Sequence, residues 1–232
     1  MAPEVLRTND FVSDAAAFIQ GTANDSLDHL GQFRIALSGG NTPAPVYRRW
    51  ATLAGELPWE KVTITFGDER CVPPNDQQSN YRMARECLFE PAAVPAASVL
   101  RMRGEADPKL AAEEYERELK GRTLDSGEKV YRHDLILLGM GDDGHTASLF
   151  PGTEALNERQ RAVVANFVPK FNSWRLTMTL ALLNQARCVC FLIGAAKNPE
   201  LIDRVIAGDE QYPAARVKPI SGRLIWIVGE PA

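Results

Sequence analysis

Apolar residues along the chain fall into short, nearly continuous runs, separated by longer stretches in which they recur every three or four positions. The runs "RIALSGG" (34–40), "KVTITFGDER" (61–70), "DLILLGMG" (134–141), "RAVVANF" (161–167), "CVCFLIG" (188–194) and "RLIWIVG" (223–229) each predict a short strand. The stretch "DPKLAAEEYERELKG" predicts a helix. Asp107 is placed to cap it, Pro108 suits its first position, Leu110, Ala111, Tyr115 and Leu119 share one face, and Gly121 is placed to stop it. Residues 91–108, rich in alanine and proline, predict a connecting loop around a short strand at "SVLRM". Strands alternating with helices predict crossover units and a mostly parallel sheet covered on both faces.

Composition narrows the class. At 232 residues with 45% apolar content, the chain has material for one substantial core, and 1–232 is expected to form a single domain. A formal charge of −4 with no basic run argues against a nucleic-acid partner. The start, "MAPEVLRTNDFVSDAAAFIQ", has acids at Glu4, Asp10 and Asp14 and no apolar core of a signal peptide, and no run is long enough to span a membrane. The expectation is a soluble cytoplasmic chain that acts on a small molecule; nothing in the sequence specifies an oligomer. Of four cysteines, Cys188 and Cys190 lie inside an apolar run, which favours buried reduced thiols over disulfides or metal ligation.

In an open parallel sheet, ligands bind beyond the carboxyl ends of the strands, and here those ends are rich in chemistry. After the first run comes "SGGNTPAPVYRRW": the amides of Gly39, Gly40, Asn41 and Thr42 would face outward at a positive helix end, with Asn41 or Thr42 as cap and Pro43 at the start. Such a loop suits a phosphate, or is simply a tight capped turn. The second strand end, "FGDERCVPP", presents Asp68, Glu69 and Arg70. Alone it would read as a solvated turn; its position beside the first loop gives it weight. The third is "GMGDDGHTASLFPG". Its Gly139, Gly141 and Gly144 match the GxGxxG of dinucleotide sites, but Asp142 and Asp143 would repel a pyrophosphate, and the run at 161–167 ends in Asn166 and Phe167 where the ribose-binding acid belongs. What remains is a turn presenting carboxylates and one imidazole. His145, just past paired aspartates, is a candidate general base, whereas His29 and His133 fit structural roles. Arg175, opening "RLTMTLALL", and Lys197, in "LIGAAKNPEL", would add a guanidinium fork and a point charge for a phosphate at the same rim.

Taken in order, "SGGNTP", "FGDERCVPPNDQQSNYRMA", "GMGDDGHTASLFPG", "RLTMTLALL" and "GAAKNPEL" resemble the 6-phosphogluconolactonases, in a superfamily that also holds glucosamine-6-phosphate deaminase and ribose-5-phosphate isomerase. The resemblance covers residues 34–220, with the "DER" and "GDDGHTASLFPG" motifs its most specific parts. It implies an α/β three-layer sandwich: a mostly parallel Rossmann-like sheet with helices on both faces. It also implies hydrolysis of 6-phospho-D-glucono-1,5-lactone to 6-phospho-D-gluconate in the oxidative pentose phosphate pathway, with no metal and no organic cofactor. On that reading His145 takes a proton from water and returns it to the leaving oxygen, and Asp143 or Asp68 orients the imidazole. Arg70 meets the oxyanion or holds the substrate. Ser38, Gly39, Gly40, Asn41, Thr42, Gly144, Arg175 and Lys197 form the phosphate and substrate site. Asn41 stands where family members commonly have serine; its side chain can still cap and donate.

Three rivals are weighed beside it. The deaminases resemble "GHIAFNEPG" after the turn, with a glutamate five residues past the histidine; here that residue is Phe150. A serine hydrolase would use Ser38, with an acid at Asp68 or Asp134, but the glycine two residues before its nucleophile is Ala36. A non-catalytic sugar-phosphate sensor would be expected to carry a DNA-binding element, and no helix-turn-helix pattern or basic arm accompanies this domain.

Overall fold

The computed structural model describes residues 3–126 and 130–230. In chain order the elements are β1 (Glu4–Thr8), α1 (Phe11–Leu30), β2 (Phe33–Leu37), α2 (Pro43–Leu53), β3 (Val62–Phe66), β4 (Asp68–Arg70) and α3 (Asn80–Ala84), which a π-helical turn (Arg85–Phe89) continues. Then follow α4 (Pro108–Ser126), β5 (Leu135–Leu138), β6 (Val163–Val168), β7 (Ser173–Met178), α5 (Leu180–Leu183), β8 (Cys188–Ile193), α6 (Pro199–Ile206) and β9 (Arg223–Gly229). Six strands form one sheet in the order β1-β9-β8-β5-β2-β3, every pair parallel. Of the interior strands, β2, β5 and β8 are buried at every residue, which is why, apart from the buried Arg34, their sequences are apolar on both faces.

Two cores sandwich this sheet. On one face Ile19 of α1, Val46, Tyr47 and Trp50 of α2 and Leu88 and Phe89 of the π-helical turn close over Phe33, Ile35 and Phe66. On the other, Tyr115 and Leu119 of α4 and Ile202 of α6 pack with Phe191 and Trp226, whose rings stack at 4.0 Å. Each such buried side chain contributes about 1.5–3 kcal/mol of transfer free energy, so the two apolar layers dominate the stability of the sandwich. The three-layer α/β architecture with a parallel Rossmann-like sheet is therefore present.

The details depart from the sequence reading in informative places. Residues 61–70 are two strands, because the chain changes sheets at Gly67: its N–H donates to Leu37 O at 2.9 Å while its carbonyl accepts from Met178 N at 2.8 Å. β4 thereby joins a second, antiparallel sheet in the order β4-β7-β6, packed on the α4 side. The run 161–167 belongs to that small sheet as β6 and lies outside the parallel one. Gly121 does not stop α4, which continues to Ser126, whereas Asp107 does cap it, accepting from Lys109 N and Leu110 N at 3.0 and 3.1 Å. "SVLRM" contributes one parallel bridge, Val99 to Ile64. β1, mostly exposed at the sheet edge, carries no apolar run and was not anticipated. All four cysteines are free thiols, with Cys87, Cys188 and Cys190 buried. His133 is fully buried with Nε2 2.9 Å from Thr65 Oγ1, and burial, then the charge of Arg34, push its pKa down to about 3, so it is a neutral core residue. Among the described residues no helix is long and apolar enough to cross a membrane.

Candidate active site

Three strand ends meet at the carboxyl edge of the parallel sheet. The first is the loop from β2 into α2. Gly40 adopts φ 101°, a left-handed conformation that favours glycine. Gly39 has no room for a side chain: a Cβ there would lie 1.8 Å from Asn80 Oδ1. The Tyr47 hydroxyl clamps the loop's start, accepting from Ser38 N and donating to Ser38 O, each at 2.9 Å. Pro43 opens α2 as expected, but Thr42, in the cap position, has helical backbone angles and makes no side-chain capping bond. The positive end of α2 thus points toward the loop without a hydroxyl of Thr42 closing it.

The second strand end is β4, whose alternation sends neighbouring side chains in opposite directions. Asp68 is buried and fixed by two donors, Ser148 Oγ at 2.6 Å and Asn80 Nδ2 at 3.1 Å. Glu69 faces away and accepts from the backbone amides of Arg70, Asn80 and Tyr81 at 2.7–2.9 Å and from Ser79 Oγ at 3.0 Å. Its burial nevertheless holds its carboxyl above the usual range. Glu69 therefore builds the wall by anchoring the start of α3. Arg70 bonds Gln78 O, and in the β4–β7 register it lies directly opposite Arg175. Both guanidinium Nε atoms are buried without a partner. Burial, and then the adjacent Arg70 charge, lower the pKa of Arg175.

The third is the turn after β5, where the glycines turn out to have steric purposes. A Cβ on Gly141 would lie 2.0 Å from His145 Cε1 and Nδ1, and one on Gly144, at φ 70°, would strike the Tyr212 ring at 2.5 Å. The Gly144 N–H donates to Gly141 O at 3.0 Å within the turn. Thr146 Oγ1 ties the turn back to Gly139 O at 2.8 Å. His145 stacks on Phe150 with centroids 3.9 Å apart, and its Nδ1 lies 2.5 Å from Asp143 Oδ1. Burial pushes the Asp143 carboxyl up, but hydrogen bonds from His145 and Lys170 outweigh it and bring the pKa down to about 2. An ionised carboxylate only accepts, so Nδ1 must carry the proton, and the lone pair of the neutral ring sits on Nε2. Of the two carboxylates weighed for orienting the imidazole, Asp143 makes the contact; Asp68 is held by Ser148 and Asn80 instead.

These pieces enclose a cavity of about 220 Å³ whose lining includes Ser38, Gly39, Gly40, Asn41, Thr42, Asp68, Arg70, Gly141 and His145. Arg175 and Lys197 are not among its lining residues. Arg175 stands beside Arg70. Lys197 is engaged by Asp142 at 2.6 Å, on a segment that follows Gly194, where a Cβ would lie 3.5 Å from Thr42 Cγ2. Ser38 Oγ is buried and makes no hydrogen bond, so the nucleophile-to-base contact of a serine hydrolase is not formed. Sequence reasoning missed Asn80, Ser148 and Lys170. The first two grip Asp68 from 12 and 80 residues away, and Lys170 reaches Asp143 Oδ2 at 3.0 Å from 27 residues away. No local pattern announces such partners.

A parallel α/β sandwich with a glycine loop at a helix start and a carboxylate-bound imidazole at the same sheet edge defines an enzyme equipped for proton transfer on an anionic small molecule. A family model described as glucosamine-6-phosphate isomerases/6-phosphogluconolactonase matches residues 7–226, and the chain belongs to that family. It is 38% identical to a 6-phosphogluconolactonase of Synechocystis over all of this chain and 98% of that one. It is 33% identical to the human GDH/6PGL endoplasmic bifunctional protein over 94% of this chain and 28% of that protein. Among solved structures, a 6-phosphogluconolactonase of Thermotoga maritima superposes with a TM-score of 0.85 at 28% identity, covering 98% of this chain and 100% of that one. That of Trypanosoma brucei gives 0.83 at 27% identity, covering 98% and 96%.

Proposed function

We propose that this protein is a carboxylic ester hydrolase that converts 6-phospho-D-glucono-1,5-lactone to 6-phospho-D-gluconate, the lactonase step of the oxidative pentose phosphate pathway, in the cytoplasm. The observation that carries the reading is the Asp143–His145 contact of 2.5 Å at the cavity wall, which leaves Nε2 as the basic nitrogen. In the reaction, Nε2 takes a proton from water as the water oxygen bonds to lactone C1. The charge that develops on the carbonyl oxygen is met by Arg70 and by amides of the Gly39–Thr42 loop, donors worth about 3–4 kcal/mol each when preorganised. Collapse breaks the bond from C1 to the ring oxygen, and the imidazolium returns its proton to that oxygen. Base and acid duty together contribute ~10²–10⁴-fold. The phosphate is assigned to the α2 end of the loop with Arg175 and Lys197 supplying charge.

The deaminase reading of the same family is disfavoured by Phe150, whose ring stacks on the imidazole from the position where a ring-opening carboxylate is expected. The serine hydrolase is disfavoured by the unbonded Ser38 hydroxyl. The test is turnover by the purified protein of freshly generated 6-phosphogluconolactone and of glucosamine-6-phosphate, with spontaneous lactone opening subtracted. The proposal expects lactone hydrolysis and no ammonia release; the reverse pattern overturns it.

A further inference from the structure

We infer that Phe171 is a specificity-determining positioning residue, whose ring gathers two cations that flank residues of the site and braces the ring behind the imidazole. The inference rests on the lactonase reading for its substrate. It starts from an oddity of the β6–β7 hairpin. After Pro169–Phe171 turns the chain, Asn172 takes φ 46° and its N–H closes on Pro169 O at 3.0 Å, a left-handed step that asparagine tolerates. This turn leaves Phe171 47% exposed, a position where a large apolar ring gains little from burial.

The ring is not idle there. Lys170 Nζ lies 5.6 Å and Arg175 Cζ 5.4 Å from its centroid, both within the ~6 Å reach of cation–π attraction. Its edge meets Phe150 at 5.6 Å and 77°, and Phe150 stacks on His145. Each cation is tied to a different side of the site. Lys170 binds Asp143 Oδ2 at 3.0 Å, and Arg175 lies opposite Arg70 across the β4–β7 ladder. Like charges separate unless something holds them. The negative face of the ring offsets part of their repulsion and restricts their rotamers, so an incoming phosphate meets cations already ordered and does not spend its binding energy on ordering them. A substrate without the phosphate gains nothing from that order.

The test uses Phe171→Leu and Phe171→Met, which keep apolar volume and remove the π face, and Phe171→Tyr, which keeps it. Melting curves establish that each is folded. Calorimetric titration with 6-phosphogluconate and with gluconate is read beside KM and kcat for the phosphorylated and unphosphorylated lactones. Leu and Met should weaken 6-phosphogluconate binding roughly 5- to 30-fold, the equivalent of two exposed cation–π contacts, with a smaller loss on gluconate. Tyr should stay near wild type, and KM for the phosphorylated lactone should move more than kcat. Equal losses on the two ligands, no loss, or a Tyr variant as weak as Leu overturns the inference. A wild type that shows the Phe171 dependence in titration yet does not open the lactone would instead refute the lactonase reading.

Discussion

Gly141→Ala bears on the placement of the imidazole and of the Asp143 carboxylate bonded to it, whose Oδ1 would lie 3.0 Å from the added carbon. Gly141 is not one of the positive-φ glycines, so its backbone accepts alanine, and the added methyl is the whole perturbation. That methyl would stand 2.0 Å from His145 Cε1 and Nδ1, whereas ordinary contact begins at 3.4 Å, so the ring has to retreat by more than about 1 Å. It cannot do so freely, with Phe150 stacked at 3.9 Å and Asp143 bonded at 2.5 Å. A displacement of that size costs on the order of 100-fold in rate, about 2.7 kcal/mol of transition-state stabilisation. Overpacking of this kind destabilises by about 1–3 kcal/mol, which leaves a folded protein to assay. The assay is kcat/KM for lactone opening in the wild type, Gly141→Ala, His145→Ala and the double variant. If the methyl acts through the imidazole, adding it to His145→Ala should change little. A folded Gly141→Ala within threefold of wild type, or losses that simply add in the double variant, would refute the reasoning.

Other consequences are as direct. Ser38→Ala should be mild in kcat/KM, because its hydroxyl bonds nothing; a dead variant accompanied by a trapped acyl-enzyme in wild type would restore the serine hydrolase. Asp143 has a folded-state pKa of about 2, below the ordinary ~3.9, so its contribution to stability is full above about pH 4 and is lost as pH falls toward 2. The melting-temperature gap between wild type and Asp143→Asn should therefore close over that interval, and a gap unchanged from pH 6 to about 2.5 would contradict an ionised, bonded carboxylate. Arg175→Ala should cost about 1.5–3 kcal/mol in kcat/KM on the phosphorylated lactone and little on glucono-δ-lactone, and equal losses on both would assign the guanidinium to chemistry or fold.

What could be read in advance was whatever is local. β2 and its loop were legible because an apolar run ends in "SGG" and a proline follows, and His145 stood out because paired aspartates sit two residues before it, just past the apolar run "LILL". The break inside "KVTITFGDER" was not legible, since only Gly67 marks it and its meaning lies in bonds to Leu37 and Met178, residues that neighbour it only after folding. β6 was legible as a strand, but not its place in the second sheet, because periodicity reports exposure and is blind to the partner across the ladder. Gly141 and Gly144 were read as a motif, and only the contacts with His145 and Tyr212 reveal why no side chain fits. β1 escaped because an exposed edge strand pairs through its backbone and needs no apolar run. Asn80, Ser148 and Lys170 were invisible for the same reason that the fold matters: they become neighbours of Asp68 and Asp143 through tertiary contacts.

In the proposed mechanism, lactone opening requires the imidazole of His145 as base. The decisive measurement is the single-turnover and steady-state rate on freshly generated 6-phosphogluconolactone for wild type and for a His145→Ala variant of unchanged fold, with spontaneous opening subtracted. Efficient wild-type hydrolysis and a loss of at least ~100-fold in the variant are expected. A folded variant that turns over the lactone at a near-normal rate would contradict the assignment of His145 as the base.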